Sequence, residues 1–216
     1  VVPVKRLELA KSRLPGPPDA RAAVALALAR DTVDAAARCP LVCEVMVVCD
    51  DDRAAAVLGL RARVVPDVPR RGLSAAVEYG AALARARAPG RPVAVLTADV
   101  PGCPSAALAQ VLAAADGSAR CVVADAAGTG TVLLTVHAAV PLGAAFGDRS
   151  RSLHTAGGAL DLTWRAPAAM RRDVDTREDL LAVLAAPGAA FTRAAAAAAG
   201  WWDPSPRPVA APRSAP

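Results

Sequence analysis

Short valine-rich runs alternate with longer helical stretches along most of this 216-residue chain. The runs are Val1–Val4, Glu44–Cys49, Arg63–Pro66, Pro92–Thr97 and Ala119–Ala124. They are apolar at successive positions, as expected of strands covered on both faces. Helices are expected over Ala20–Arg38, capped by Asp19, from Asp50–Asp52 to about Leu58, and over Gly72–Arg87 and Ser105–Ala115. This alternation predicts an α/β fold, a three-layer sandwich around a mostly parallel sheet. Thr131–Val136 follows the glycine turn Gly128–Gly130 and should run antiparallel, making the sheet mixed. A helix over Ser150–Gly157, a strand over Ala159–Trp164 and a helix over Thr176–Leu184 complete the pattern. Pro3 is discordant, because a proline removes a ladder donor from the first strand.

Hydrophobic residues make up 54% of the chain and aromatics only 3%, so the core is built from Val, Leu and Ala. One domain over residues 1–187 accounts for the patterned part. Beyond Pro187, Ala, Pro and Arg dominate and Trp201-Trp202 stand isolated; residues 188–216 read as a tail, mobile or loosely docked. The net charge of +5 suits an anionic ligand. Nucleic-acid binding is a poor fit, since no basic stripe with interleaved aromatics is present. No run reaches the roughly 18 apolar residues of a membrane span. The five cysteines (Cys39, Cys43, Cys49, Cys103 and Cys121) are irregularly spaced and complete no zinc set. They read as ordinary thiols of a reducing cytoplasm.

Six groups of residues carry chemistry. Lys5, Arg6, Lys11 and Arg13 follow the first strand, so the chain delivers positive charge to the sheet edge where α/β folds bind ligands. Compact ammonium and forked guanidinium donors both suit phosphate oxygens, although a solvated basic loop would have the same sequence. Asp99 lies just past the most apolar strand, before Pro101, where it can hold a metal or cap the next helix. Asp173 and Asp175 point to one side if Asp173-Val174-Asp175-Thr176 is extended. Asp175 or Thr176 can also cap the following helix, which makes Asp173 the better ligand and Asp175 the better cap. Hard oxygen ligands from two distant loops suit Mg²⁺. Gly128-Thr129-Gly130-Thr131 and Phe146-Gly147-Asp148-Arg149-Ser150 offer backbone approach and hydroxyl donors to an anion, and a plain hairpin turn and helix cap also explain them. His154 is either near that ligand or a satisfied structural histidine. Gly72 permits a sharp helix entry and Ser74 a cap; the sequence leaves Arg70-Arg71 undecided between ligand and solvent. No nucleophile elbow and no Gly-x-x-x-x-Gly-Lys-Ser/Thr loop is present. The assembly suits nucleotidyl transfer, which needs cations and a metal rather than a covalent nucleophile.

Taken in order, Val2-Pro3-Val4-Lys5-Arg6-Leu7, Ala10-Lys11-Ser12-Arg13-Leu14, Ala98-Asp99-Val100-Pro101, Gly128-Thr129-Gly130-Thr131, Phe146-Gly147 with Ser150 and His154, and Asp173-Val174-Asp175-Thr176 resemble the guanylyltransferases of coenzyme F420 biosynthesis, which act on 2-phospho-L-lactate or phosphoenolpyruvate. The resemblance covers roughly residues 1–186, and part of it is shared with molybdenum-cofactor guanylyltransferases. It implies a nucleotidyltransferase fold of the nucleotide-diphospho-sugar transferase type, condensing GTP with a small phosphorylated three-carbon acid. By motif it assigns Thr131, Gly147 and Ser150 to the acid and Asp99 with Asp173, or Asp175, to Mg²⁺. Lys5, Lys11 and Arg13 fall to the triphosphate and to catalysis with Asp99. The Gly72–Ser74 turn is assigned to the nucleotide, with Ser74 where the family often carries Asn. A high-GC composition tilts the acid toward phosphoenolpyruvate. A molybdopterin-type nucleotidyltransferase and a non-catalytic nucleotide-binding domain are the competing readings, and a homodimer is left open.

Overall fold

The computed structural model describes residues 1–203. Its elements follow the expected alternation: β1 (Val2–Val4), α1 (Pro18–Ala37), β2 (Met46–Cys49), α2 (Asp52–Leu58), β3 (Arg63–Val65), α3 (Leu73–Arg87), β4 (Val93–Leu96), α4 (Ser105–Ala114), β5 (Arg120–Ala124), β6 (Thr131–Val136), α5 (Ser150–Ala156), β7 (Leu160–Asp161), α6 (Ala168–Arg171), α7 (Arg177–Ala185) and α8 (Ala190–Ala198). β1, β2 and β3 pair in parallel. β6 runs antiparallel between β4 and β5, and β7 adds to β5 in parallel. The expected antiparallel strand is therefore β6.

The two halves of the sheet meet at Val1. Its backbone nitrogen donates to Ala94 O at 2.6 Å, and its carbonyl accepts from Leu96 N at 3.0 Å, the bonding pattern of parallel neighbours. The strand order is thus β3-β2-β1-β4-β6-β5-β7. Residue 3 faces β4 as Val1 does, because alternate residues of a strand bond to the same neighbour. Pro3 has no N–H to give, so the bonding does not continue past Val1. Thr97 N, which by the same alternation faces the other way, continues the β4–β6 ladder to Val132 O at 3.0 Å. The discordant proline thereby lets β1 and β4 separate at their C-terminal ends, where the order of the parallel strands reverses.

Helices cover both faces. Val77 and Ala81 of α3 pack with Val93 and Val95 of β4 and with Leu134 and Val136 of β6. Leu26, Ala29 and Val33 of α1 and Leu108 and Val111 of α4 share the other core with Val2, Val47 and Leu96. Gly80 lets α3 lie close to the sheet, since a Cβ there would stand 2.6 Å from a Val48 methyl.

Three local expectations change. Asp19 does not cap α1; Pro17 holds the cap position and Pro18 the first helical position, where proline's missing donor is harmless. The strand expected over Ala159–Trp164 stops at Asp161, whose carboxylate accepts from Thr163 N at 2.8 Å and curls the chain into a 3₁₀ turn over Thr163–Arg165. The tail expected from residue 188 is structured through its first part: α8 lies on α1, and Trp201 and Trp202 pack against a core cluster. Asp31, 7% exposed, supplies the reason, because its carboxylate accepts from Phe191 N, Thr192 N and Thr192 Oγ1 at α8's first turn. Residues 204–216 lie outside the described residues. Among the described residues no helix is long and apolar enough to cross a membrane, and all five cysteines are free thiols.

Candidate active site

A cleft of about 690 Å³ opens where β1 and β4 part. Lys5, Lys11, Arg13, Gly72, Asp99, Thr131, Gly147, Ser150, Asp173 and Asp175 all line it. Arg6, Arg70, Arg71, Gly128, Thr129 and His154, also singled out in the sequence, lie outside this lining. Among the residues that the resemblance assigns to the site, Ser74 alone is outside it. Its hydroxyl accepts from Phe146 N at 3.0 Å and so fastens the Gly147 loop to the start of α3. Ser74 therefore has a loop-anchoring bond in addition to the hydroxyl proton it could offer a ligand. A second hollow, of about 490 Å³, lies at the other end of the sheet beside Val1, Met46 and Val93. It is mostly apolar and gathers no comparable set of charges.

The acidic and basic halves of the cleft are locked together. Val174 N donates to Asp99 O at 3.0 Å, so the segment carrying Asp173 and Asp175 is tied by its backbone to the end of β4. Lys11 Nζ donates to Asp99 Oδ2 at 2.6 Å and to Asp175 Oδ1 at 3.0 Å. Arg13 Nη2 reaches Asp175 Oδ2 at 2.5 Å. Burial works against the Lys11 charge, but the Asp99 and Asp175 carboxylates outweigh it and raise its pKa above the usual lysine value. Lys11 sits at φ 53°, a conformation L side chains rarely adopt, which the two ion pairs help to hold. Lys5 is exposed and, among the described residues, has no ion-pair partner.

Asp175 is taken by two cations, and it does not cap α7. Thr176 does that, in a reciprocal capping box with Asp179. Asp173, among the described residues, has no ion-pair partner. Burial, followed by the nearby Asp99 and Asp125 carboxylates, pushes its pKa up to about 6. Among the described residues no three His, Cys, Asp or Glu side chains form a ready-made metal cluster. The crowding of carboxylates around Asp173 nonetheless matches what a divalent ion needs from protein when phosphate oxygens and water supply its other ligands.

The raised value has a consequence for stability. An acid that binds its proton more tightly in the folded state costs stability as pH rises from its unfolded value, near 4, through its folded value, near 6. Asp173→Asn should therefore be neutral near pH 4 and stabilising near pH 7.5 in the ligand-free protein. With partial solvent access the gain is on the order of 1–2 kcal/mol, or a few degrees in Tm. Thermal melts at the two pH values check this; an offset independent of pH would contradict the assignment.

Across the cleft, His154 is 1% exposed and structural. Its Nε2 accepts from Ala145 N at 3.0 Å, so the neutral ring carries its proton on Nδ1 and donates to Thr131 Oγ1 at 3.0 Å. Burial, reinforced by Arg120, lowers the ring's pKa and keeps it neutral. The Thr131 hydroxyl, already an acceptor, retains its own proton to give to a ligand. Phe146 meets the His154 ring edge-on at 5.2 Å and holds it in place. Gly147, at φ 128°, has no atom within 4 Å of where a Cβ would be, so the backbone there is open to close approach.

Asp125 is a cleft residue that sequence reasoning missed. Its carboxylate accepts from Thr129 N at 3.0 Å and Gly130 N at 2.9 Å, shaping the turn that leads into Thr131. A Cβ at Gly130 would stand 2.3 Å from Asp125 Oδ2, which is why this turn takes glycine. The signal was present: Asp125 follows β5 directly, as Asp99 follows β4 at a short remove. Asp67 also lines the cleft without having been anticipated.

Residues 25–160 match the MobA-like NTP transferase domain family. The chain is 51% identical over 189 residues to the phosphoenolpyruvate guanylyltransferase of Thermomonospora curvata, covering 86% of this chain and 82% of that one. It is 51% identical over 188 residues to the protein of that name from Streptomyces coelicolor, covering 86% and 89%. In fold it resembles a Desulfovibrio desulfuricans G20 protein described as a nucleotide-diphospho-sugar transferase, with TM-score 0.64, 16% identity and coverage of 91% and 94%. The α/β architecture is therefore of the nucleotide-diphospho-sugar transferase type, and the chain belongs to the MobA-like nucleotidyltransferases, in the group of the phosphoenolpyruvate guanylyltransferases.

Proposed function

We propose that this protein transfers the guanylyl group of GTP to phosphoenolpyruvate. An oxygen of the acid's phosphate attacks the α-phosphorus of GTP. The bond from that phosphorus to the α–β bridging oxygen breaks, and pyrophosphate leaves. The product is enolpyruvoyl-2-diphospho-5'-guanosine, an activated ester suited to coenzyme F420 assembly. The observation that carries the reading is the meeting of Lys5, Lys11 and Arg13 with Asp99 and Asp173 in one cleft, together with the names of relatives at about half identity.

Within this reading the cations of the first loop hold the triphosphate and neutralise the charge that builds on the leaving pyrophosphate. Thr131, through the proton left free by His154, and the open backbone at Gly147 hold the acid, with Ser150 beside them in the cleft lining. Mg²⁺ would be held by Asp99 and Asp173 and would supply electrostatic stabilisation of the phosphoryl oxygens. Gly72 lies at the nucleotide side of the cleft. A cytoplasmic location fits the free thiols.

Pyrophosphate release should be seen with GTP and phosphoenolpyruvate, at a kcat/KM at least about tenfold above that with 2-phospholactate, ATP or CTP, a difference of about 1.4 kcal/mol. Preference for 2-phospholactate would move the substrate, and preference for another base would move the nucleotide. Release with none of the pairs would refute the proposal.

A further inference from the structure

The C-terminal segment braces the two helices that carry the two charged halves of the cleft. The cationic loop leads into α1 and the aspartate segment leads into α7. α8 is fastened to both. Asp31 of α1 accepts three hydrogen bonds from Phe191 and Thr192. Arg193 of α8 donates from Nε to Leu184 O of α7 at 3.2 Å, and its other nitrogens reach Ala186 O and Gly188 O just beyond that helix.

The packing runs directly beneath the charges. Leu14, next to Arg13, is 3% exposed, and Val174, between the two aspartates, is fully buried. Both belong to one apolar cluster with Ala196 of α8, and Trp201 packs against it. Trp201 also seats its indole on Gly16: a Cβ at Gly16 would stand 2.9 Å from Trp201 Cζ2, and Gly16 holds φ 86°. Trp201 is itself held, its backbone N–H donating to Ala196 O at 2.9 Å.

Building on the guanylyl-transfer reading, we propose that Trp201 is a positioning residue for the nucleotide. Seated on Gly16, it fixes the loop that aims Lys11 and Arg13 across the cleft at Asp99 and Asp175. A loosened loop presents its cations less often in the binding geometry, so the loss falls on GTP binding rather than on the bond-making step.

The experiment compares the full chain with Trp201→Ala, Trp201→Phe and Gly16→Ala. Amide hydrogen exchange is read over residues 7–17, and KM for GTP and for phosphoenolpyruvate are measured separately from kcat. Trp201→Ala should speed exchange over 7–17 while leaving the β5–β6 hairpin unchanged. It should raise KM for GTP about tenfold, with kcat and the acid's KM within about twofold; Trp201→Phe should restore most of the difference. Gly16→Ala should reproduce the effect from the other side of the contact, and the double variant Gly16→Ala, Trp201→Ala should fall short of the sum. If Trp201→Ala does not fold, Gly16→Ala and Trp201→Phe decide alone. A lower Tm with unchanged loop exchange and unchanged KM for GTP would overturn the proposal. A wild-type chain that makes no guanylyl product would sink the reaction, whereas exchange over 7–17 would still report whether Trp201 orders the loop.

Discussion

Asp99→Asn is expected to lower kcat by about 10²–10³-fold while the protein remains folded, a loss of the size produced by removing one preorganised electrostatic group from a transition state. The fold should survive because the structural duty of residue 99 belongs to its backbone: its carbonyl, not its carboxylate, accepts from Val174 N. Asn also keeps the shape and one carbonyl oxygen. What is lost is a negative charge 2.6 Å from Lys11 Nζ and beside the Asp173 carboxylate. Far-ultraviolet circular dichroism and a melting curve separate the two effects. Full turnover in a folded Asp99→Asn protein would remove this residue from the chemistry.

Lys11→Met should raise KM for GTP by about 10²-fold and that of the acid far less, since an ammonium bound to phosphate oxygens contributes about 1.5–3 kcal/mol. It should also lower stability. The Lys11 side chain is only 11% exposed, and it bridges carboxylates from two distant parts of the chain. Removing it leaves Asp99 without its cation beside the Asp173 carboxylate, and leaves Asp175 with Arg13 alone. Raised KM values of equal size for both substrates would mean that the loop serves the cleft's shape rather than the nucleotide. Unchanged values would mean that it is merely solvated.

The strand–helix alternation was legible because β1, β2, β4, β5 and β6 are largely buried on both faces, so their runs of Val and Leu carry the signal locally. Asp99 and Lys11 were legible for a related reason, since polar residues in the loops after apolar strands sit at the sheet edge, and Thr131 was legible because a glycine turn opens its strand. What escaped was tertiary. α8 is an Ala-rich stretch whose helix is capped by Asp31, some 160 positions away, and no local pattern announces that bond. Trp201 looked isolated because its partner, Gly16, is on the far side of the sequence. The Ser74–Phe146 bond was hidden in the same way, because its two residues lie 72 positions apart. The sequence favours Asp173 as ligand and Asp175 as cap; the positions of Lys11 and Arg13 instead give Asp175 two ion pairs. Pro3 shows the reverse case: a residue that counted against its strand turns out to end a ladder where the cleft begins.

The most direct test follows the phosphorus. GTP labelled at the α position and GTP labelled at the γ position are each incubated with the full chain, phosphoenolpyruvate and Mg²⁺. Attack at the α-phosphorus predicts that the α label appears in a diphosphate ester of the acid and the γ label in pyrophosphate. Recovery of the γ label as inorganic phosphate or on the acid, with the α label left in GDP, would place bond breaking at the wrong phosphorus and contradict the account.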